Sequence, residues 1–219
     1  MEKRVSFLID GFNLYHSISK TTQGNGFHKC KWLDLGQLCR STLHIISPDA
    51  KIAHIHYFTA IPHHLEKTNP KKLARHRLYL RALTSLRDPK ITIHEGRIRQ
   101  QEILIESNQG KNFIKHWREK GTDVALATHL IYEAQLNTTD EFVVISGDSD
   151  YVPLIHYFNL MFPDKNIRFA FPAGRLSNEI HKLAPLSFKL GLDSYKSCQF
   201  PEVIKLPSGK NIYRPSEWC

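Results

Sequence analysis

No stretch of this sequence approaches the roughly 20 consecutive apolar residues of a membrane-spanning helix. The chain opens Met1-Glu-Lys-Arg and reaches Asp10 after only five apolar-leaning residues. Neither a membrane span nor a secretory leader is therefore expected. Cysteine is scarce, and Cys30, Cys39, Cys198 and Cys219 form no CxxC pair and no repeating spacing. That speaks against a zinc ribbon or a disulfide framework, and for a cytoplasmic protein. Also missing are a G-x-G-x-x-G turn after the first strand, a Walker A loop and a serine nucleophile elbow. Dinucleotide-binding, P-loop and α/β-hydrolase chemistry are thereby disfavoured, and no nucleotide cofactor is expected. There is no internal repeat and no low-complexity tract.

What is present describes a folded domain. With 219 residues, 41% of them hydrophobic and 23% charged, intrinsic disorder is excluded. A chain of this length can bury about 70% of its unfolded surface. Thirty Lys and Arg against 21 Asp and Glu leave a net charge of +9, before any of the 13 histidines is protonated. Such an excess favours polyanionic partners, because counterion release drives binding to phosphate backbones. Self-association into a homo-oligomer is left open by the composition.

Apolar runs without polar alternation mark strands buried on both faces at residues 5–9, 142–146 and 167–171, with further strands within 51–61 and 91–95. Helical spacing follows most of them, at 32–43, from Pro70 onward, and at 122–136, 151–158 and 177–183. Strands alternating with helices imply an α/β fold, a three-layer sandwich around a mostly parallel central sheet. Residues 1–192 carry this pattern. Residues 193–219, with Pro201, Pro207 and Pro215 and little periodicity, read as a C-terminal extension packed on or wrapping the domain. Residues 96–118 are ambiguous, a strand or half a hairpin.

In open α/β sheets ligands bind beyond the carboxyl ends of the strands, where strand order reverses. Asp10 and Asp148 follow two of the most strand-like runs, and Asp123 opens a helix that can reach the same edge. Asn13 and Asp150 lie three and two residues further on. Carboxylates converging there would repel unless a cation neutralised them or some stayed protonated. Mg²⁺ or Mn²⁺ suits such a site, taking hard oxygen ligands and retaining waters. It could lower the pKa of a water and stabilise charge on a scissile phosphate. Each aspartate could instead be an ordinary turn or helix-start residue. Lys115, Arg118 and Lys120, just before Asp123, could track phosphates or form a solvated face. Tyr15, Trp117 and Tyr151 could stack on unpaired bases or be buried. His54 and His56 share a strand face, but with no third ligand at recognisable spacing they read as surface or packing residues.

Three segments, Phe7-Leu-Ile-Asp10-Gly-Phe-Asn13-Leu, Lys120-Gly-Thr-Asp123-Val-Ala-Leu-Ala127 and Val144-Ile-Ser-Gly-Asp148-Ser-Asp150-Tyr, resemble in order the motifs of the NYN domain family, specifically its bacterial LabA-like branch. The resemblance covers about residues 4–190. It implies a PIN-like fold and a metal-dependent ribonuclease. Asp10, Asp123, Asp148 and Asp150 would be the acidic metal cluster. Asn13 would support the first aspartate or contact substrate. Lys115, Arg118, Lys120, Ser146 and Ser149 are the expected substrate contacts, and RNA, single-stranded, the expected partner. One departure stands out: His129 lies six residues after Asp123, where members often carry an acid. Rival expectations are a catalytically silent RNA-binding or protein-interaction module, and a phosphatase acting on a small substrate.

Overall fold

Six consecutive buried residues, Val5 to Asp10, put strand β1 (Lys3–Asp10) at the centre of a seven-stranded sheet in the computed structural model. The structure describes residues 2–20, 30–107 and 110–218. The remaining strands are β2 (Ala50–Ala60), β3 (Ile91–Ser107), β4 (Gly110–Lys120), β5 (Glu141–Ile145), β6 (Asn166–Phe171) and β7 (Phe188–Lys189). Their spatial order is β4-β3-β2-β1-β5-β6-β7, parallel except for the antiparallel edge strand β4.

Because successive side chains on a strand point to opposite faces, β1 feeds two cores. Val5, Phe7 and Ile9 pack with helices α1 (Gly11–Lys20), α2 (Leu35–Ile46) and α4 (Pro70–Ser85), which follows the short α3 (Leu65–Thr68). Leu8, with Phe58, Phe142 and Val144, packs under α5 (Thr122–Gln135), α6 (Val152–Met161) and α7 (Asn178–Leu183). Helix-on-sheet packing on both faces gives the expected three layers. The helix starts carry local signals: the side chains of Asp34, Asn69 and Ser177 accept from backbone N–H groups of the first turn, and Pro70 occupies the first turn of α4.

The ambiguous residues 96–118 prove to be most of a hairpin. β3 pairs with β2 as far as Gly96, and from Arg97 onward its partner is β4. The far half of β3 with β4 is thus a two-stranded ribbon projecting from the parallel sheet. Residues 108 and 109, which join the two strands, lie outside the described residues, as does Cys219.

The tail enters the core rather than lying on it. After α8 (Leu192–Ser197), Phe200 and Ile212 are buried in the first core cluster, flanking the small β8 (Val203–Lys205) and β9 (Asn211–Tyr213) pair. The Trp32 ring contacts Phe200 at 5.5 Å and Trp218 at 6.0 Å between centroids, and its indole N–H donates to the Pro201 carbonyl at 2.9 Å. Aromatic side chains confer no visible period on a short irregular segment, so composition alone could not separate a wrapping tail from a core one. Phe200→Ala should cost about 3–5 kcal/mol in denaturant unfolding; a loss below about 1 kcal/mol would show that the tail is peripheral.

Candidate active site

From β1 the chain builds outward through β2 and β3, then returns through α5 to add β5 on the other side of β1. The ends of β1 and β5 therefore flank the point where strand order reverses, the place where open α/β sheets hold ligands in a crevice. Asp10, the last residue of β1, accepts from the Asn13 backbone N–H through Oδ1 at 2.9 Å and from the Ser146 hydroxyl through Oδ2 at 3.0 Å. The Ser146 oxygen in turn accepts from the Asp148 N–H at 3.2 Å, and the Asn13 side-chain oxygen accepts from the Gly147 N–H at 3.2 Å. Only glycine fits at 147, where a Cβ would fall 1.7 Å from the Arg175 carbonyl oxygen. Asp148 accepts from the Asp150 N–H and starts a 3₁₀ turn over Ser149–Tyr151. Gly121, at φ 87°, swings β4 directly into α5 in a left-handed conformation that glycine tolerates. Asp123 thereby sits in the first turn of α5, where Oδ1 accepts from the Tyr151 hydroxyl at 3.0 Å.

These carboxylates share one field. Burial pushes Asp10 up to about 6, against the pull of its two hydrogen bonds, and the charges of Asp123 and Asp148 add to the rise. Glu119 is pushed up to about 8, by burial and then by Asp10 and Asp123. Asp123 is raised by burial, opposed by the Tyr151 hydroxyl and assisted by Asp148 and Asp150. Sequence reasoning missed Glu119. The signal for it was the pleat of β4, which sends Trp117 and Glu119 to one face, but only once that segment was known to be a strand.

The donor set suits a hard divalent cation. Glu119 Oε1 and the neighbouring Thr122 Oγ1 are buried without a hydrogen-bond partner, beside a group of oxygen ligands. Among the described residues, no three of the acidic side chains bring oxygens within 4.8 Å of one another.

The structure sorts the other expected residues. Ser146, expected at the substrate, is fully buried, and its hydroxyl is engaged by Asp10 and the Asp148 N–H, a placement that orients the acids. Asn13 ties α1 to the loop after β5 through Gly147. Ser149 and Asp150 are exposed at the rim. Tyr151 is 1% exposed and cannot stack on a base; its place is in the core beneath Asp123. Lys115 does not share a face with Arg118 and Lys120: alternation along β4 puts it with Trp117 and Glu119, opposite Glu102 of β3. Beside the acids lies a cleft of about 530 Å³ lined by Tyr15, Tyr57, His64, Lys72, Arg75 and Trp117, with Gly11 and Glu119 also on its wall. Trp117 stacks on His64 at 4.4 Å and remains 43% exposed.

A model of the NYN domain matches residues 4–162. The chain belongs to the NYN domain family. NYN domains are in general nuclease domains. The fold is also similar to the crystal structure of a protein of unknown function from Vibrio parahaemolyticus RIMD 2210633, at a TM-score of 0.54 and 14% identity, over 87% of this chain and 94% of that one. No curated protein matches the chain. Among the described residues, no helix of this NYN domain is long and apolar enough to cross a membrane.

His129 lies away from the acids, among His56 of β2 and His94 of β3. Burial, with the neighbouring imidazoles, lowers His94 to about 4 and lowers His129 as well. Burial would raise Glu133, one turn on from His129, but it falls to about 2 because the facing His56 imidazole and the hydroxyls of Ser6 and Thr139 outweigh that burial.

In the acidic site of the NYN domain, the folded Asp10 and Glu119 hold protons up to about 6 and about 8, whereas unfolded carboxylates titrate near 4. The folded state binds more protons across that window, so stability from this cluster is greatest near pH 4 and falls as pH rises to about 8. Calorimetry in EDTA should therefore show Asp10→Asn melting above wild type at pH 8, with the gap closing near pH 4. A variant that melts lower than wild type at pH 8 would contradict a charged, crowded Asp10.

Proposed function

We propose that this NYN domain is a ribonuclease that requires Mg²⁺ or Mn²⁺ and hydrolyses phosphodiester bonds of single-stranded RNA. The observation that carries the proposal is an acidic crevice set beside a basic ribbon. On one face of the β3–β4 ribbon, Arg97 stands opposite Lys120 and Arg99 opposite Arg118, and all four are exposed. Like charges directly opposite one another on a sheet are destabilising, and a phosphate backbone laid across them removes the penalty. The ribbon ends at Gly121, two residues before Asp123, so a strand tracked by these cations is delivered to the carboxylates. The aromatic cleft next to the crevice, with Tyr15 and Trp117 part-exposed, offers stacking surfaces for an unpaired base.

Asp10, Asp123 and Asp148 would hold the ion, with Asp150 at the rim. When bound, it supplies positive charge to the scissile phosphate and makes water more acidic. The protein's own groups do the rest. Ser146 and the Asn13 backbone fix both oxygens of Asp10, and the Tyr151 hydroxyl fixes Asp123. Glu119, whose Oε1 has no partner, is the carboxyl free to move a proton during in-line attack on the phosphate. No side chain needs to form a covalent intermediate. A catalytically silent RNA-binding or protein-interaction module of the same fold is the alternative.

End-labelled single-stranded RNA in Mn²⁺, Mg²⁺ or EDTA tests the two. Metal-dependent cleavage should fall at least about 100-fold in Asp10→Asn/Asp148→Asn, in the range by which polarising groups at such centres contribute, with RNA affinity largely kept. Undiminished cleavage in that variant would sink the site, and tight binding without cleavage in every metal would favour the silent module. Arg99→Ala/Arg118→Ala should instead weaken binding across sequences and lower the slope of log K against log salt by about 1.4, roughly 0.7 per phosphate contact on a single strand. An unchanged slope would remove the ribbon from the RNA path.

A further inference from the structure

Among the described residues, two sets of side chains bring three ligand atoms within 4.8 Å of one another: His56, His94 and His129, and His54, His56 and Glu133. Neither includes a residue of the acidic crevice. The three imidazoles of the first set come from three elements, β2, β3 and α5, and meet between the sheet and the helix. His56 is at the centre. Its Nδ1 lies 3.0 Å from His94 Nε2, and its Nε2 lies 3.3 Å from His129 Nε2. The ring of Phe58 stacks on His94 at 4.5 Å and walls the group on the sheet side.

Glu133 completes the arrangement. It is 4% exposed, and its Oε1 accepts from the hydroxyls of Ser6 and, at 2.7 Å, Thr139. Its Oε2 has no hydrogen-bond partner and stands 3.3 Å from His56 Nε2. A buried carboxylate beside one ring nitrogen fixes the tautomer and leaves the other nitrogen free as a ligand, as in carboxylate–histidine–zinc triads.

We propose that His56, His94 and His129 form a second metal site, for Zn²⁺, with Glu133 orienting His56. Tetrahedral Zn²⁺ with nitrogen ligands at 2.0–2.1 Å separates those nitrogens by about 3.3 Å. With Glu133 on His56 Nε2 the His56 ligand is Nδ1, which lies 3.0 Å from His94 Nε2, and one ligand atom from each of the three rings lies within 4.8 Å of the others, so rotation of the His129 ring closes the set. Three imidazoles and one open position are a donor set for borderline-soft zinc, whereas Mg²⁺ and Mn²⁺ prefer oxygen. The two sites therefore select different ions. His129 is six residues along α5 from Asp123, about 9 Å of helix, so zinc here pins to the sheet the helix that presents Asp123. This role is structural and holds whether or not the crevice cleaves RNA.

The test loads the full chain with ZnCl₂, dialyses it against metal-free buffer, and measures bound zinc by elemental analysis and chelator competition. One zinc per chain is expected. His94→Gln and His129→Gln should each lower its affinity at least about 100-fold, and Glu133→Gln about 10–100-fold. Asp10→Asn/Asp148→Asn should leave it unchanged. His94 and His129 are only half-buried, and far-UV circular dichroism checks that their variants fold. The wild-type protein with Co²⁺ gives a reading independent of any variant, the intense visible bands of a low-coordinate nitrogen site. No retained zinc, zinc indifferent to the histidine variants, zinc lost in the aspartate variant, or Co²⁺ with only weak octahedral bands would each overturn the proposal.

Discussion

Asp10 ends a strand that is hydrogen-bonded on both sides and buried on both faces, so its carboxylate can neither rotate into solvent nor retreat from its neighbours. Taking such a charge out of water is expensive unless something opposes it. Two hydrogen bonds do so in part. Among the described residues, the charges that raise Asp10 further, Asp123 and Asp148, are of its own sign. A chain with 30 cationic residues to draw on pairs the buried Glu141 with Arg168, whereas the groups that shift the buried Asp10 are hydrogen-bond donors and other acids. The deficit is what a divalent cation or a proton makes good, and the hydrogen bonds through Ser146, Asn13 and Tyr151 keep the acids in place meanwhile.

One strand serves two opposed charge environments. The pleat of β4 sends Trp117 and Glu119 toward the cleft and Arg118 and Lys120 to the other face, where they meet Arg99 and Arg97 of β3. Were these side chains on one face, Lys120 would stand against Glu119 and oppose the rise that burial and the neighbouring acids give it. Separation by the thickness of a strand keeps the crevice negative while the ribbon stays positive.

The layered fold and the acid edge were legible because both rest on local rules: apolar runs for buried strands, and a strand-end aspartate where the sheet changes direction. What stayed hidden depended on partners distant in sequence. Glu119 and the separation of Lys115 from Arg118 needed the knowledge that residues 110–120 are a strand, which their mixed polarity conceals. Of the two readings open for Tyr151, stacking or burial, only the 3₁₀ turn over residues 149–151 decides for burial. The burial of Ser146 likewise depends on the fold around it, where Gly147 meets the Arg175 carbonyl. His56 lacked a third ligand only in sequence, since His94 and His129 lie 38 and 73 residues away.

Helix α5 joins these themes. Leu126, Leu130 and Ala134 bury its apolar stripe with Leu8 and Val144, contacts that resist separation but discriminate weakly between neighbouring registers. His129 and Glu133 lie beside that stripe, one turn apart, and meet groups on β1 and β2 through contacts with fixed directions. Directional polar contacts penalise a shift of even one ångström, since a buried acceptor that loses its donor bears the full desolvation cost. The apolar stripe thus supplies the adhesion of α5, and the histidine–glutamate layer supplies its registry. Asp123, in the first turn of that helix, accepts from the Tyr151 hydroxyl. Its position over the crevice is therefore set from two turns away, by residues that never touch it.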